Sequence, residues 1–279
     1  LASYSCKGKG STFGIKPDFV HKSGCGLQDK LRGHGLFSVN KDGYLHSDAG
    51  TSFSAPLVAK TMAVVEKSIL GHTSRETLIA LMVHNAEVPN VFKAIEYKNY
   101  LNELIGYGMP TIADNILNGD EHSITLVFAN RIKNKQILSF PFAWPASLIK
   151  NEKCVGAVKV TLVSTPAIDY VFGDEMIREN ISVSLRQIQE DGAKKGMLNA
   201  RYKDDKSSSG HMYEWQLIES EQKWNPIKVY EKSFPRGTKN KGGWFLEVEY
   251  QSRDGSQHSL QGVPFTVILT ISDPEQIAP

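Results

Sequence analysis

Cysteine is scarce in this sequence: Cys6, Cys25 and Cys154 are the only three among 279 residues. An odd, sparse count argues against a disulfide framework, although a Cys6–Cys25 bridge stays open. There is no CxxC pair and no HxxxH spacing, which argues against a structural zinc site. The scarcity leans towards a reducing, cytoplasmic compartment without fixing it. Charge of one sign is also lacking, since 32 basic residues face 30 acidic ones for a net +2. No broad field draws the chain to nucleic acid or an anionic membrane. No apolar run approaches the ~20 residues that a bilayer span requires. The opening Leu1-Ala2-Ser3-Tyr4-Ser5 has neither an initiator Met nor a basic-then-apolar leader. The expectation is that the chain is the C-terminal part of a longer protein.

What is present is globular in balance, with 41% hydrophobic and 22% charged residues. That length holds one large domain or two ordinary ones. The patterning changes along it. Phe13–Val20 reads as a turn entering a short strand, Gly33–Val39 as a loop entering another, and Asn40-Lys41-Asp42-Gly43 as a turn. Residues 54–70 are apolar around most of a helical surface, which predicts a helix buried in the protein centre, with Pro56 in its first turn and Gly71 stopping it. A second helix follows a cap at Thr73-Ser74-Arg75-Glu76, and Tyr97–Leu104 and Thr111–Leu117 are shorter helical candidates.

From about residue 119 the period becomes two. Val158, Val160 and Leu162 alternate with Lys159 and Thr161, and Val267, Leu269 and Ile271 repeat the device. Strands are expected at 123–129, 136–141, 156–164, 181–188, 244–250 and 265–272, separated by turn clusters. That is the pattern of an all-β sandwich or jelly roll. Residues 203–210 read as a polar loop, and Trp144, Trp215, Trp224 and Trp244 mostly as core. The expected organisation is an α/β segment over residues 1–118 followed by a β-sandwich accessory domain over 119–279.

The chemistry concentrates in Gly50-Thr51-Ser52-Phe53-Ser54-Ala55-Pro56, between a turn and the apolar helix. A small residue before Ser52 allows a tight turn and close approach of a substrate. At the helix N-terminus, unpaired N–H groups and the dipole favour developing negative charge, so the Ser52 N–H is placed to serve as an oxyanion donor. Taken alone, a Ser before a helix is more often an N-cap.

The surrounding residues change that reading. Gly-Thr-Ser-x-Ser-Ala-Pro followed by a small, aliphatic helix resembles the nucleophile motif of the subtilases, the subtilisin-like serine peptidases. Ala2-Ser3-Tyr4-Ser5 resembles the family's Ser-x-Ser stretch, and Lys16-Pro17-Asp18-Phe19-Val20 its Lys-Pro-Asp-hydrophobic strand. Ile105-Gly106-Tyr107-Gly108 and the short helix after it look like the usual end of the catalytic domain. His21-Lys22-Ser23-Gly24 departs from the family's Ala-Pro-Gly continuation, with Gly24 the clear match.

The resemblance implies an α/β subtilase remnant and a serine endopeptidase with Ser52 as nucleophile and Gly50 and Thr51 shaping substrate approach. In that family the triad runs Asp, His, Ser, with the His roughly 150 residues before the Ser. Only 51 residues precede Ser52 here. The implied His, Asp and oxyanion Asn therefore fall outside the chain, and the isolated chain is expected to be inactive. Its partners would be a peptide or protein substrate and an N-terminal subtilase fragment that completes the triad. His21, His34, His46 and Asp48 read as loop residues rather than substitutes.

No cofactor is expected. Calcium is a frequent subtilase ligand, but the acidic loop of Asp169, Asp174 and Glu175 matches no calcium-loop spacing. Asn180-Ile181-Ser182 would be a glycosylation acceptor only in a secretory setting. The rival reading is a catalytically incomplete scaffold whose β domain docks a partner.

Overall fold

The computed structural model of the protein describes residues 1–6, 8, 14–24, 35–94, 100–198, 218, 223–254 and 260–276. Cys25, His34, Trp215 and the expected loop 203–210 lie outside these residues. The chain divides into two compact units. One comprises Leu1–Gly10, Ile15–Thr73 and Asn85–Leu117; the other comprises Ser11–Gly14, Ser74–His84 and Asn118–Pro279.

The first unit opens with a hairpin of β1 (Leu36–Val39) and β2 (Leu45–Asp48). Its turn is closed by the Asn40 side chain, which accepts the Asp42 and Tyr44 N–H groups at 3.0 and 2.9 Å. Helix α1 (Thr51–Ser68) follows directly. After α2 (Arg75–His84), which belongs to the second unit, come β3 (Ala86–Glu87), α3 (Leu101–Ile105), β4 (Met109–Pro110) and α4 (Ala113–Asn118). The strand expected at Pro17–Val20 does not form. That segment pairs instead by two backbone bonds, Tyr107 N–H to the Asp18 carbonyl at 2.9 Å and Val20 N–H to the Gly108 carbonyl at 3.0 Å. Gly106, at φ +62, is needed there because a Cβ would lie 2.0 Å from the Pro17 carbonyl oxygen.

Two expectations about α1 are corrected. Pro56 is not in the first turn: the helix begins at Thr51, so Pro56 is its sixth residue. Lacking an N–H, it cannot make the helical bond back to the Ser52 carbonyl. Nor is the helix buried. Only Ser54 and Val65 are, whereas Phe53 is 38% and Val64 40% exposed, and Ala55, Ala59 and Ala63 are exposed as well. Apolar side chains are buried only where something packs on them, and the described residues of this unit leave most of α1 uncovered.

The second unit is built from strands β5 (Ser123–Ile132), β6 (Ile137–Phe142), β7 (Ile149–Lys150), β8 (Lys153–Ser164), β9 (Glu179–Ile188), β10 (Lys194–Leu198), β11 (Ile227–Lys239), β12 (Trp244–Ser252) and β13 (Val263–Ser272). All pair antiparallel, in the orders β10-β9-β12-β6 and β11-β8-β13-β5, with β7 beside β8. The chain crosses between sheets from β5 to β6, β6 to β7, β8 to β9, β10 to β11, β11 to β12 and β12 to β13, which is jelly-roll wrapping. The alternation read from sequence faces the core: Val267 lies opposite Leu162, Leu269 opposite Val160 and Ile271 opposite Val158, all essentially buried. Trp144 and Trp244, with ring centroids 4.5 Å apart, close one part of this core with Phe234.

The opposite face of β8 and β13 is covered by α2. Its cap is Ser74, whose Oγ accepts the Thr77 N–H at 3.1 Å. Glu76 reaches away from that cap and accepts the Thr165 hydroxyl at 2.6 Å. Thr77 bonds Thr266 at 2.9 Å. His84, nearly buried, sits between the Thr161 and Thr270 hydroxyls at 2.8 and 2.7 Å. Burial, with Lys159 as a smaller electrostatic cause, lowers the His84 pKa to about 3.

Candidate active site

Ser52 is the second residue of α1, exposed, with its N–H in the first turn where no preceding helical carbonyl exists to accept it. No described histidine of the same unit is hydrogen-bonded to its hydroxyl. His21 Nδ1 lies 3.2 Å from the adjacent Lys22 carbonyl, and His46 is exposed on β2 opposite Ser38. Asp48 uses its Oδ1 to accept the Ala49 N–H at 2.8 Å, a local turn contact. The next polar side chain on α1, Ser54, is turned inward and donates to the Thr51 carbonyl at 3.1 Å.

The turn that presents Ser52 is held from behind. Gly50, extended at φ 159 and ψ 152, donates its N–H to the Ser23 carbonyl at 3.0 Å. A Cβ at this position would meet the Phe53 ring carbons only at ordinary contact, 3.5–3.6 Å. Gly24, at φ +77, packs so close to Ala49, the residue before Gly50, that a Cβ would lie 2.8 Å from the Ala49 Cβ. Gly35 is similarly required, because a Cβ there would meet the Asp48 carbonyl oxygen at 2.4 Å. The Tyr4 hydroxyl lies 2.9 Å from the Ser23 carbonyl oxygen and 2.8 Å from Ser23 Oγ, and also bonds the Gly24 carbonyl. The motif reading located Gly50, Thr51 and Ser52, and singled out Gly24. It gave Tyr4 and Ser23 no part in the turn; their contact appears only when residues 19 and 20 positions apart are brought together.

Among the described residues no group of three or more His, Cys, Asp or Glu side chains is placed to hold a metal ion. In the acidic loop, Asp169 Oδ1 accepts the Val171 N–H at 3.1 Å, and Glu175 is engaged by Arg253 and Arg178. Those guanidinium groups, Arg253 first, hold the Glu175 carboxyl below its usual range. A cavity of about 440 Å³ in the second unit is lined by Ala167, Ile168, Asp169, Tyr170, Val171, Arg178 and Glu179. It contains no serine, cysteine or histidine, so it offers no acyl-transfer nucleophile. Asn180 is buried; its Oδ1 accepts from Trp224 N–H and Lys228 Nζ, and its Nδ2, the atom a glycan would be joined to, donates to Gln251 Oε1 at 3.3 Å inside the fold. Cys6 is an exposed free thiol and Cys154 a buried one, with Cys25 outside the described residues. No helix among the described residues is long and apolar enough to cross a membrane.

Residues 1–108 match the model of the Subtilase family. This segment is subtilase-like. The matched stretch contains the Ser52 turn, all of the backbone that braces it and α2 of the second unit, and ends before the first strand of that unit. No curated protein matches the chain significantly. Among solved structures, one of infectious bursal disease virus Gx strain is similar at 8% identity and a TM-score of 0.24, over 56% of this chain and 33% of that one. Desmodium yellow mottle tymovirus follows at 9% identity and 0.22, over 54% and 87%. Tomato aspermy virus is 13% identical at 0.23, over 56% and 80%. At these scores the likenesses carry no argument about this chain.

Proposed function

We propose that the chain carries the nucleophile-bearing part of a subtilase-type serine endopeptidase, with Ser52 as nucleophile. The observation that carries this reading is a Gly-Thr-Ser turn, braced by Ser23 and Gly24, that presents an exposed hydroxyl at the start of an 18-residue helix. Ser52 Oγ attacks the scissile carbonyl carbon, and its proton passes to a histidine outside this chain, oriented by an aspartate also outside it. The resulting oxyanion accepts from the Ser52 N–H and from an asparagine side chain supplied with them. Return of the proton to the leaving amine yields an acyl-Ser52, which water hydrolyses.

The uncovered apolar surface of α1 supports the two-part arrangement. Phe53, Ala55, Ala59, Ala63 and Val64 need a packing partner, and the segment that brings the histidine and aspartate is the one expected to cover them. An unassisted serine hydroxyl stays protonated at neutral pH and is a weak nucleophile. Peptide hydrolysis by the chain alone is therefore expected at background level. It should appear when the N-terminal subtilase segment is supplied, and vanish again in Ser52→Ala. Hydrolysis by the chain alone would refute the division of the triad.

A further inference from the structure

We propose that Tyr4 is a positioning residue for Ser52, acting through the Ser23–Gly24 backbone. This rests on the reading of Ser52 as nucleophile.

Two lines of contact lead from Tyr4 to the reactive turn. The first is hydrogen bonding. The Tyr4 hydroxyl bonds the Ser23 and Gly24 carbonyls, and the Ser23 carbonyl is also the acceptor of the Gly50 N–H at 3.0 Å. The second is steric. Gly24 is pressed on Ala49 with no space for even a methyl group, so a shift of residues 23–24 moves Ala49 and Gly50 with it. A phenol has a single proton and serves one carbonyl at a time, whereas the Ser23 hydroxyl is placed to donate to the phenol oxygen at 2.8 Å. Among the described residues, Tyr4 is the side chain that ties residues 23 and 24 at the same point. It touches no reacting atom. Its effect is on where the Ser52 N–H and Oγ sit relative to a substrate carbonyl, a geometry in which shifts below 1 Å matter.

Tyr4→Phe removes the hydroxyl and keeps the ring, so it separates the clamp from packing. Two measurements decide the proposal. The first is amide hydrogen exchange on the chain itself, and it needs no activity. Tyr4→Phe should raise exchange at Ala49–Ser52 while leaving the β unit unchanged. Ser23→Ala, which removes the hydroxyl partner of the phenol but keeps both backbone carbonyls, should raise it much less. The second is turnover in the presence of the N-terminal segment. There Tyr4→Phe should lower kcat on the order of tenfold with KM nearly constant, and the pH profile should keep its shape because the base is untouched. Unchanged exchange at 49–52, or a loss carried by KM alone, would overturn the clamp. If the unsubstituted chain shows no Ser52 reactivity with the segment present, the nucleophile reading fails instead, and the exchange pattern still decides whether Tyr4 holds the turn.

Discussion

The Gly50 N–H donates to the Ser23 carbonyl at 3.0 Å, which ties the residue two before Ser52 to a strand-like segment 27 positions earlier. This bond converts a local sequence motif into a fixed geometry. The turn could otherwise tilt with the hairpin that precedes it, because β1 and β2 are largely exposed and, among the described residues, have no further strand beside them.

Gly24→Ala should disturb that geometry more than any surface change. The residue sits at φ +77, and a Cβ would meet the Ala49 Cβ at 2.8 Å. A non-glycine residue held in the left-handed region costs ~1–2 kcal/mol before any clash is counted. A lower melting temperature for the first unit and weaker Ser52 reactivity are expected. Calorimetry and activity-probe labelling check both.

His84 makes the second unit acid-sensitive. Its pKa is about 3 in the folded chain against an ordinary 6.5. Between those values the unfolded chain binds more protons, so stability falls as pH drops from about 6.5 towards 3, by up to ~1.4 kcal/mol per pH unit. Above pH 6.5 this contribution is constant. His84→Leu should be less stable at pH 7, because the Thr161 hydroxyl loses its imidazole partner and Thr270 keeps only Thr125, yet should show a shallower decline between pH 6.5 and 4. Urea midpoints across that range are the measurement.

Lys228 acts at the other end of the scale. Burial lowers its pKa from 10.5 to about 7, with Nζ donating to Asn180 Oδ1 at 2.8 Å and to the Ile181 carbonyl. The unfolded chain binds more protons between those values, so this group's contribution to stability rises as pH increases from about 7 to 10.5. Lys228→Met should remove that rise. The comparison is the slope of unfolding free energy against pH in the two proteins.

Much of the β unit was legible in sequence because alternation directly encodes a two-faced strand. Val158, Val160 and Leu162 turned inward as read. What alternation could not show is that Thr161, Thr266 and Ile268 on the other face are also fully buried, because α2 lies over them. Strand β11 escaped for a different reason: Pro235-Arg236-Gly237 interrupts its alternation and forms a register shift in an edge strand, where a proline is tolerated. Helix α1 shows the converse limit. Its apolar composition was read correctly, yet composition cannot say whether the covering partner is in the same chain. At the site, the Gly-Thr-Ser motif stood out in seven consecutive residues, whereas Tyr4 carries no signal until the fold places it on Ser23 and Gly24.

The packing of α2 on the sheet predicts that Met82→Ala is costly. Met82 is fully buried, and truncating such a side chain to alanine costs ~2–5 kcal/mol. The loss should appear in the unfolding of the β unit, read by the fluorescence of its buried Trp144 and Trp244.

The most direct test is covalent labelling by a fluorophosphonate probe, with the modified residue mapped by mass spectrometry. With the N-terminal subtilase segment present, label should accumulate on Ser52 and be absent in Ser52→Ala; the chain alone should stay unlabelled. Efficient labelling of Ser52 in the chain alone, or label on another residue when the segment is present, would contradict the account.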